Sequence, residues 1–163
     1  MATTDFVEKM SSEKYALALL QLRHDRPDNR YIRFESYDSV VKELGKEPTA
    51  DLYEVMWVEP FYPNKFIIPK GYMEYEHLNC PYSDKDKEYI AESMFNKFNR
   101  TRTRPTIQDG YYGTSASVSD VILIKEDDKI YAMYIDSMGF KEIEDFQFQM
   151  QAANTKHKTE IER

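Results

Sequence analysis

Ser117, Ser119 and Asp120 crowd one short stretch, and His24, His77 and His157 could nominally complete a Ser-His-Asp set. In such a set an imidazole takes the hydroxyl proton and a carboxylate orients the imidazole. Nothing around either serine resembles a nucleophile elbow, the sharp strand-to-helix turn that exposes a reactive hydroxyl. A structural role is therefore expected, with Ser117 and Ser119 alternating on one strand face and Asp120 accepting backbone hydrogen bonds from the adjoining loop. The segment Gly110-Tyr111-Tyr112-Gly113-Thr114-Ser115 has the small and hydroxyl residues that could wrap a phosphate. It precedes a strand and lacks a lysine after its glycines, whereas phosphate loops open a helix. His77 and Cys80 could fill two zinc positions, but a structural site takes four ligands and no second pair follows. No metal and no cofactor are expected.

Arg30 or Arg33, then Ser115-Ala116-Ser117, then Glu142-Ile143-Glu144 resemble in order and type an ADP-ribosyltransferase arrangement, at a generic spacing. Lys97, Arg100, Arg102 and Arg104 form a cationic run with no acidic residue between positions 93 and 108. Cations there offset the dipole at a helix C-terminus, and the same run could bind an anion, a nucleic-acid backbone or an acidic protein face. Residues 59–82 combine Pro60, Pro63, Pro69 and Pro81 with Phe61, Tyr62, Phe66, Tyr72, Tyr75 and Tyr82. These rings either cover the core as a lid or present a partner epitope, for which Phe61, Tyr62 and Phe66 are the named anchors.

The elements that must position these groups follow from composition and pattern. At 163 residues with 41% apolar and 14% aromatic content, the chain can bury a core without disulfide or metal staples. A net charge of −7 works against generic attraction to nucleic acid or anionic membrane. The single Cys80 and the absence of a basic leader suggest a reducing, cytoplasmic setting. The organisation expected is a polar arm over 1–14, one domain over 15–153 with the 59–82 excursion inside it, and a polar tail over 154–163.

Strands are expected at 15–22 and 30–34 as a hairpin, at 51–58, and at 117–125 paired with 129–136 across Asp127-Asp128. Ser36 and Gly45 bracket a short helix, and Tyr89, Ile90, Met94, Phe95 and Phe98 mark the apolar face of a longer one over 84–98. Residues 140–153 fit either a helix or a strand. The fold class is α+β, an antiparallel or mixed sheet of about five strands with two to three helices packed against one face.

Tyr15 with Gln21-Leu22, Arg33-Phe34, Tyr53, Phe98-Asn99, Arg104-Pro105, Ser117-Val118-Ser119-Asp120-Val121-Ile122, Tyr134, Asp136 and Gly139-Phe140 together resemble the YodL-like domain family over about residues 15–141. The resemblance implies a small accessory protein or module of Gram-positive bacteria, often carried on plasmids, phages and integrative elements, with no assigned enzyme activity. It supplies no functional residues, and the 59–82 excursion departs from its pattern.

The leading expectation is a non-enzymatic binding or regulatory protein from a bacterial mobile element, acting on a protein partner; nucleic acid is not favoured and no membrane is implied. The alternatives are a nucleotide-handling or ADP-ribosyl-transferring enzyme using the 110–119 loop, and an acidic inhibitor of a nucleic-acid-binding defence protein. If the excursion is an epitope, changing Phe61, Tyr62 and Phe66 to Ser lowers partner capture by about tenfold or more at unchanged melting temperature. A destabilised triple variant that still captures its partner when folded would make these rings a lid.

Overall fold

The structure, a computed structural model, describes residues 13–60, 84–99, 116–127, 129–144 and 146. The central strand β1 (Tyr15–Leu22) is apolar on both faces, and seven of its eight residues are buried. Such a continuous run suits a strand covered on both sides rather than a half-solvated one. It lies between β2 (Tyr53–Pro60) and β3 (Val121–Glu126); β4 (Lys129–Ile135) and β5 (Phe140–Glu142) complete the order β2-β1-β3-β4-β5. Every neighbouring pair is antiparallel.

The expected α+β class and strand number hold, while one strand has a different identity. Residues 30–34 are not the hairpin partner of β1. A short 3-10 helix, Pro27–Tyr31, stands there instead. Its buried Asn29 donates through Nδ2 to the carbonyls of Arg23 and Leu52 at 2.9 and 3.1 Å, so the segment is held to loop carbonyls rather than to a ladder. Within the alternating run only Ile32 is buried, while Tyr31 and Phe34 face solvent. β2 takes the place beside β1, and β5 supplies the fifth strand.

The third strand also begins later than its apolar pattern suggests, because Ala50–Leu52 forms one 3-10 turn before β2. A bulge against Leu19/Leu20 then inserts Met56 without a partner. Tyr53, Val55 and Val58 consequently share one face, while Met56 and Trp57 pack on the other.

The helices cover both faces of the sheet, not one. α1 (Tyr37–Leu44) starts at Ser36, whose hydroxyl accepts from the Ser39 N–H, and stops at Gly45 in the left-handed region at φ 72°. Its Tyr37 and Val40 join Leu20, Leu22, Leu123, Tyr134 and Phe146 in one core. On the opposite face α2 (Asp84–Phe98) lays Ile90, Ala91, Met94 and Phe98 against Leu17, Leu19, Ile122 and Ile124. Ion pairs fix where α2 crosses the sheet: Lys87 meets Glu142 of β5 and Lys97 meets Glu59 of β2, each at 2.5 Å.

The expected pairing of β3 with β4 holds, with Glu126 opposite Lys129 and Asp127 at φ 58° in the turn, although β3 begins at Val121 rather than at Ser117. After β5, Ile143 and Phe146 return to the core, and the Phe146 ring meets Tyr53 edge-on at 5.8 Å. Phe146→Ala is expected to cost about 3–5 kcal/mol in equilibrium unfolding, as full deletion of a buried ring does. A loss below about 1 kcal/mol would show that the segment after β5 is not part of the core.

Candidate functional site

The strand β3 starts at Val121, so Ser117 and Ser119 occupy a turn and do not share a strand face. Ser119 takes φ 85°, a conformation that L-residues rarely adopt. Around it the backbone bonds are complete: Ser119 N–H donates to Ile135 O, Ile135 N–H to Asp120 O, and Asp120 N–H to Ser117 O. The expected role of Asp120 holds, since its Oδ2 accepts from the Ser117 N–H at 2.9 Å and from Gln21 Nε2 at 3.0 Å. Burial pushes the Asp120 carboxyl up to about 7, against the opposing pull of those two donors and of Arg33.

This turn holds a second loop in place. Ser119 Oγ accepts from the Phe34 N–H at 2.9 Å, and Tyr53 donates its hydroxyl to Ser119 O at 2.8 Å. Tyr134 donates to Glu35 O, and Asp136 Oδ1 accepts from the N–H groups of Tyr37 and Ser137. Phe34 is thereby kept at φ 68° with its ring 64% exposed. Tyr31 is 56% exposed and Met138, in the β4–β5 turn, 90% exposed. Among the described residues these are the exposed large hydrophobics, and all three lie on connections, Tyr31 at the end of the 3-10 helix, near the end of the sheet where β1 finishes and β3 begins.

A cleft of about 420 Å³ opens at the same end, between α2 and the β4–β5 turn. Its walls include Phe95, Val118 and Phe140, and carboxylates come from Glu88, Glu92 and Asp136. The volume lies within the range of sites that hold small ligands or single side chains.

Other sequence candidates are drawn apart. Lys97 is not free for a polyanion: it pairs with Glu59 and lies 5.5 Å from the Trp57 ring centroid. Arg30 covers Tyr31, and Arg33 donates to Leu22 O at 3.2 Å. Glu142 is paired with the buried Lys87, while Glu144 is exposed. Arg100, Arg102, Arg104, Phe61, Tyr62, Phe66, His77, Cys80 and the 110–115 loop lie outside the described residues.

Sequence reasoning missed Tyr31, Phe34, Met138 and the cleft. The alternating pattern of 30–34 places Phe34 inside a strand, where exposure alternates with burial. The one legible signal was Glu88 and Glu92, four apart on a helix and so on one face.

The pattern of the YodL-like domain matches residues 16–146. The chain belongs to the YodL-like domain family. No curated protein and no solved structure gives a significant match. In this YodL-like domain the Phe98-Asn99 segment meets the residue before the Ser117 segment: Ala116 N–H donates to Phe98 O, and Asn99 Nδ2 donates to Ala116 O at 2.9 Å. The Phe98-Asn99 pair thus anchors the entrance to the Ser117–Asp120 turn. Among the described residues no helix is long and apolar enough to cross a membrane.

The buried carboxyl makes a pH prediction. Folded Asp120 keeps its proton up to about pH 7, whereas the unfolded chain releases it near 3.8. Between those values the unfolded state binds fewer protons, so this group's stabilisation is largest at the acid end and is lost as pH rises. The loss amounts to at most about 4 kcal/mol. Asp120→Asn removes that slope while leaving an oxygen to accept from Gln21 and Ser117. Urea unfolding of both proteins at about pH 5 and about pH 7.5 checks this, and equal pH dependence in the two would overturn it.

Proposed function

We propose that this YodL-like protein is a non-enzymatic binding or regulatory accessory protein that works through protein contacts at the loop end of its sheet. The observation that carries the reading is Phe34. A bulky residue at positive φ is a costly conformation, and here it leaves an aromatic ring in solvent rather than in the core. Rings held outward supply contact area at little entropic cost, and a few such anchors dominate most interfaces. Tyr31 and Met138 extend the same surface.

The polar groups of the turn favour binding over turnover as well. Ser119 Oγ and the Asp120 carboxylate are taken up in holding the backbone. The family resemblance supports an origin on a bacterial mobile element, and the lone Cys80 supports a cytoplasmic setting.

Phe34→Gly separates display from structure, because glycine accepts φ 68° freely while removing the ring. The expected outcome is unfolding free energy within about 1 kcal/mol of the parent. Partner capture from the source cells, quantified by mass spectrometry, should fall about tenfold. Unchanged capture would reject Phe34 as a contact residue.

A further inference from the structure

The cleft beside this surface has a chemistry of its own. Glu88 and Asp136 line it, and among the described residues neither forms an ion pair with a basic side chain. Asp136 spends only Oδ1 on the backbone N–H groups of Tyr37 and Ser137, which leaves Oδ2 as an acceptor. Glu92 and Asn96 also line the cleft on the α2 side, and none of the described lining residues is basic. The walls between these acceptors are apolar, formed by Phe95, Val118 and Phe140.

An apolar trough ending in carboxylates matches a long cationic side chain, whose methylene stem packs on hydrocarbon while its head meets the charge. A guanidinium suits it best, since its planar fork of five donors can bridge separate carboxylates. The occupant must also be larger than one side chain. Met138 is flanked by the lining residues Ser137 and Gly139 and stands 90% exposed, so apolar surface continues out of the cleft. A free amine would leave that surface in water. A peptide segment with an apolar residue beside its arginine covers both.

We infer that the cleft between α2 and the β4–β5 turn seats a basic, partly apolar peptide segment of the protein partner, an arginine or lysine entering the cleft and an apolar neighbour covering Met138. This rests on the protein-contact reading above and adds to it the charge and polarity of what is bound. The net charge of −7 acts in the same direction, drawing a basic segment toward the molecule at low salt.

The test is selection of a randomised displayed-peptide library on the immobilised full chain, followed by anisotropy titration of the enriched peptides. The expected result is enrichment of arginine or lysine next to an apolar residue, with affinity that falls as salt rises. Glu88→Lys with Glu92→Lys should weaken those peptides by at least about tenfold, and Glu88→Gln with Glu92→Gln should weaken them less. Met138→Ser should weaken them severalfold while melting stays unchanged. Peptides without basic residues, or equal affinity for the charge-reversed variant when it melts like the parent, would overturn the assignment. Should the reversed variant fail to fold, the neutral pair and the salt dependence decide: no effect of either also overturns it. Displacement of the peptides by spermidine at equal charge concentration would make the site one for small polyamines instead. If the selected peptides ignore the cleft variants but are lost on Phe34→Gly, the cleft assignment fails and the loop-end surface stands. If no peptide enriches, the cleft assignment fails, and the Phe34→Gly capture experiment judges the broader reading alone.

Discussion

A carboxylate taken out of water must find donors or hold a proton, and Asp120 does some of each. Its bonds to Gln21 on the central strand and to the Ser117 backbone tie a turn to the middle of the sheet across 99 positions of sequence. The remaining loop architecture depends on that tie. With the turn fixed, Ser119 can hold a left-handed backbone, offer its hydroxyl to Phe34 and take the Tyr53 hydroxyl on its carbonyl. A chain of local bonds thus begins in the core and ends at a solvent-facing ring.

The other organising constraint is burial on both sides of β1. A strand buried on both faces, with Gln21 as its buried polar exception, requires cover above and below, and one long helix cannot provide both. α2 covers the face carrying Leu17 and Leu19. The opposite face is closed by smaller pieces, α1, the Ile32 segment and the return through Ile143 and Phe146. Because these pieces are short and linked by loops, the end of the sheet between them is where side chains are left exposed. The α2 side contributes a cleft there as well: ion pairs hold the helix to Glu142 and Glu59, and residues of α2 and of the β4–β5 turn line the space between them.

This arrangement joins a rigid scaffold to a loop surface, a division common in binding modules. The exposed rings and the cleft carboxylates lie toward the same end of the sheet, so in the proposed reading an apolar anchor and a charge-selective trough meet the same partner segment. Electrostatic complementarity contributes more to selection and encounter rate than to affinity, and in the proposed reading affinity comes from the apolar residues.

Much of the fold was legible in local chemistry. The cap Ser36 and the stop Gly45 bound α1, the face of Ile90, Met94 and Phe98 marks α2, and the runs 15–22 and 117–125 hold β-strands, the second only from Val121. Each signal is carried by neighbours in sequence, through side-chain capping, helical period or a short apolar run. Strand partnership was not legible, because the alternating run 30–34 and the run 53–60 have comparable local patterns. Asn29 decided between them by bonding to Arg23 O and Leu52 O, and those carbonyls come together only in the folded chain. The site was hidden for the same reason. Sequence by itself determined that Asp120 would serve its own loop and that Glu88 and Glu92 would share a helix face. Only tertiary structure turned Phe34 outward and set Asp136 opposite those glutamates, since exposure and the meeting of charges from different elements are properties of packing rather than of any residue's neighbours.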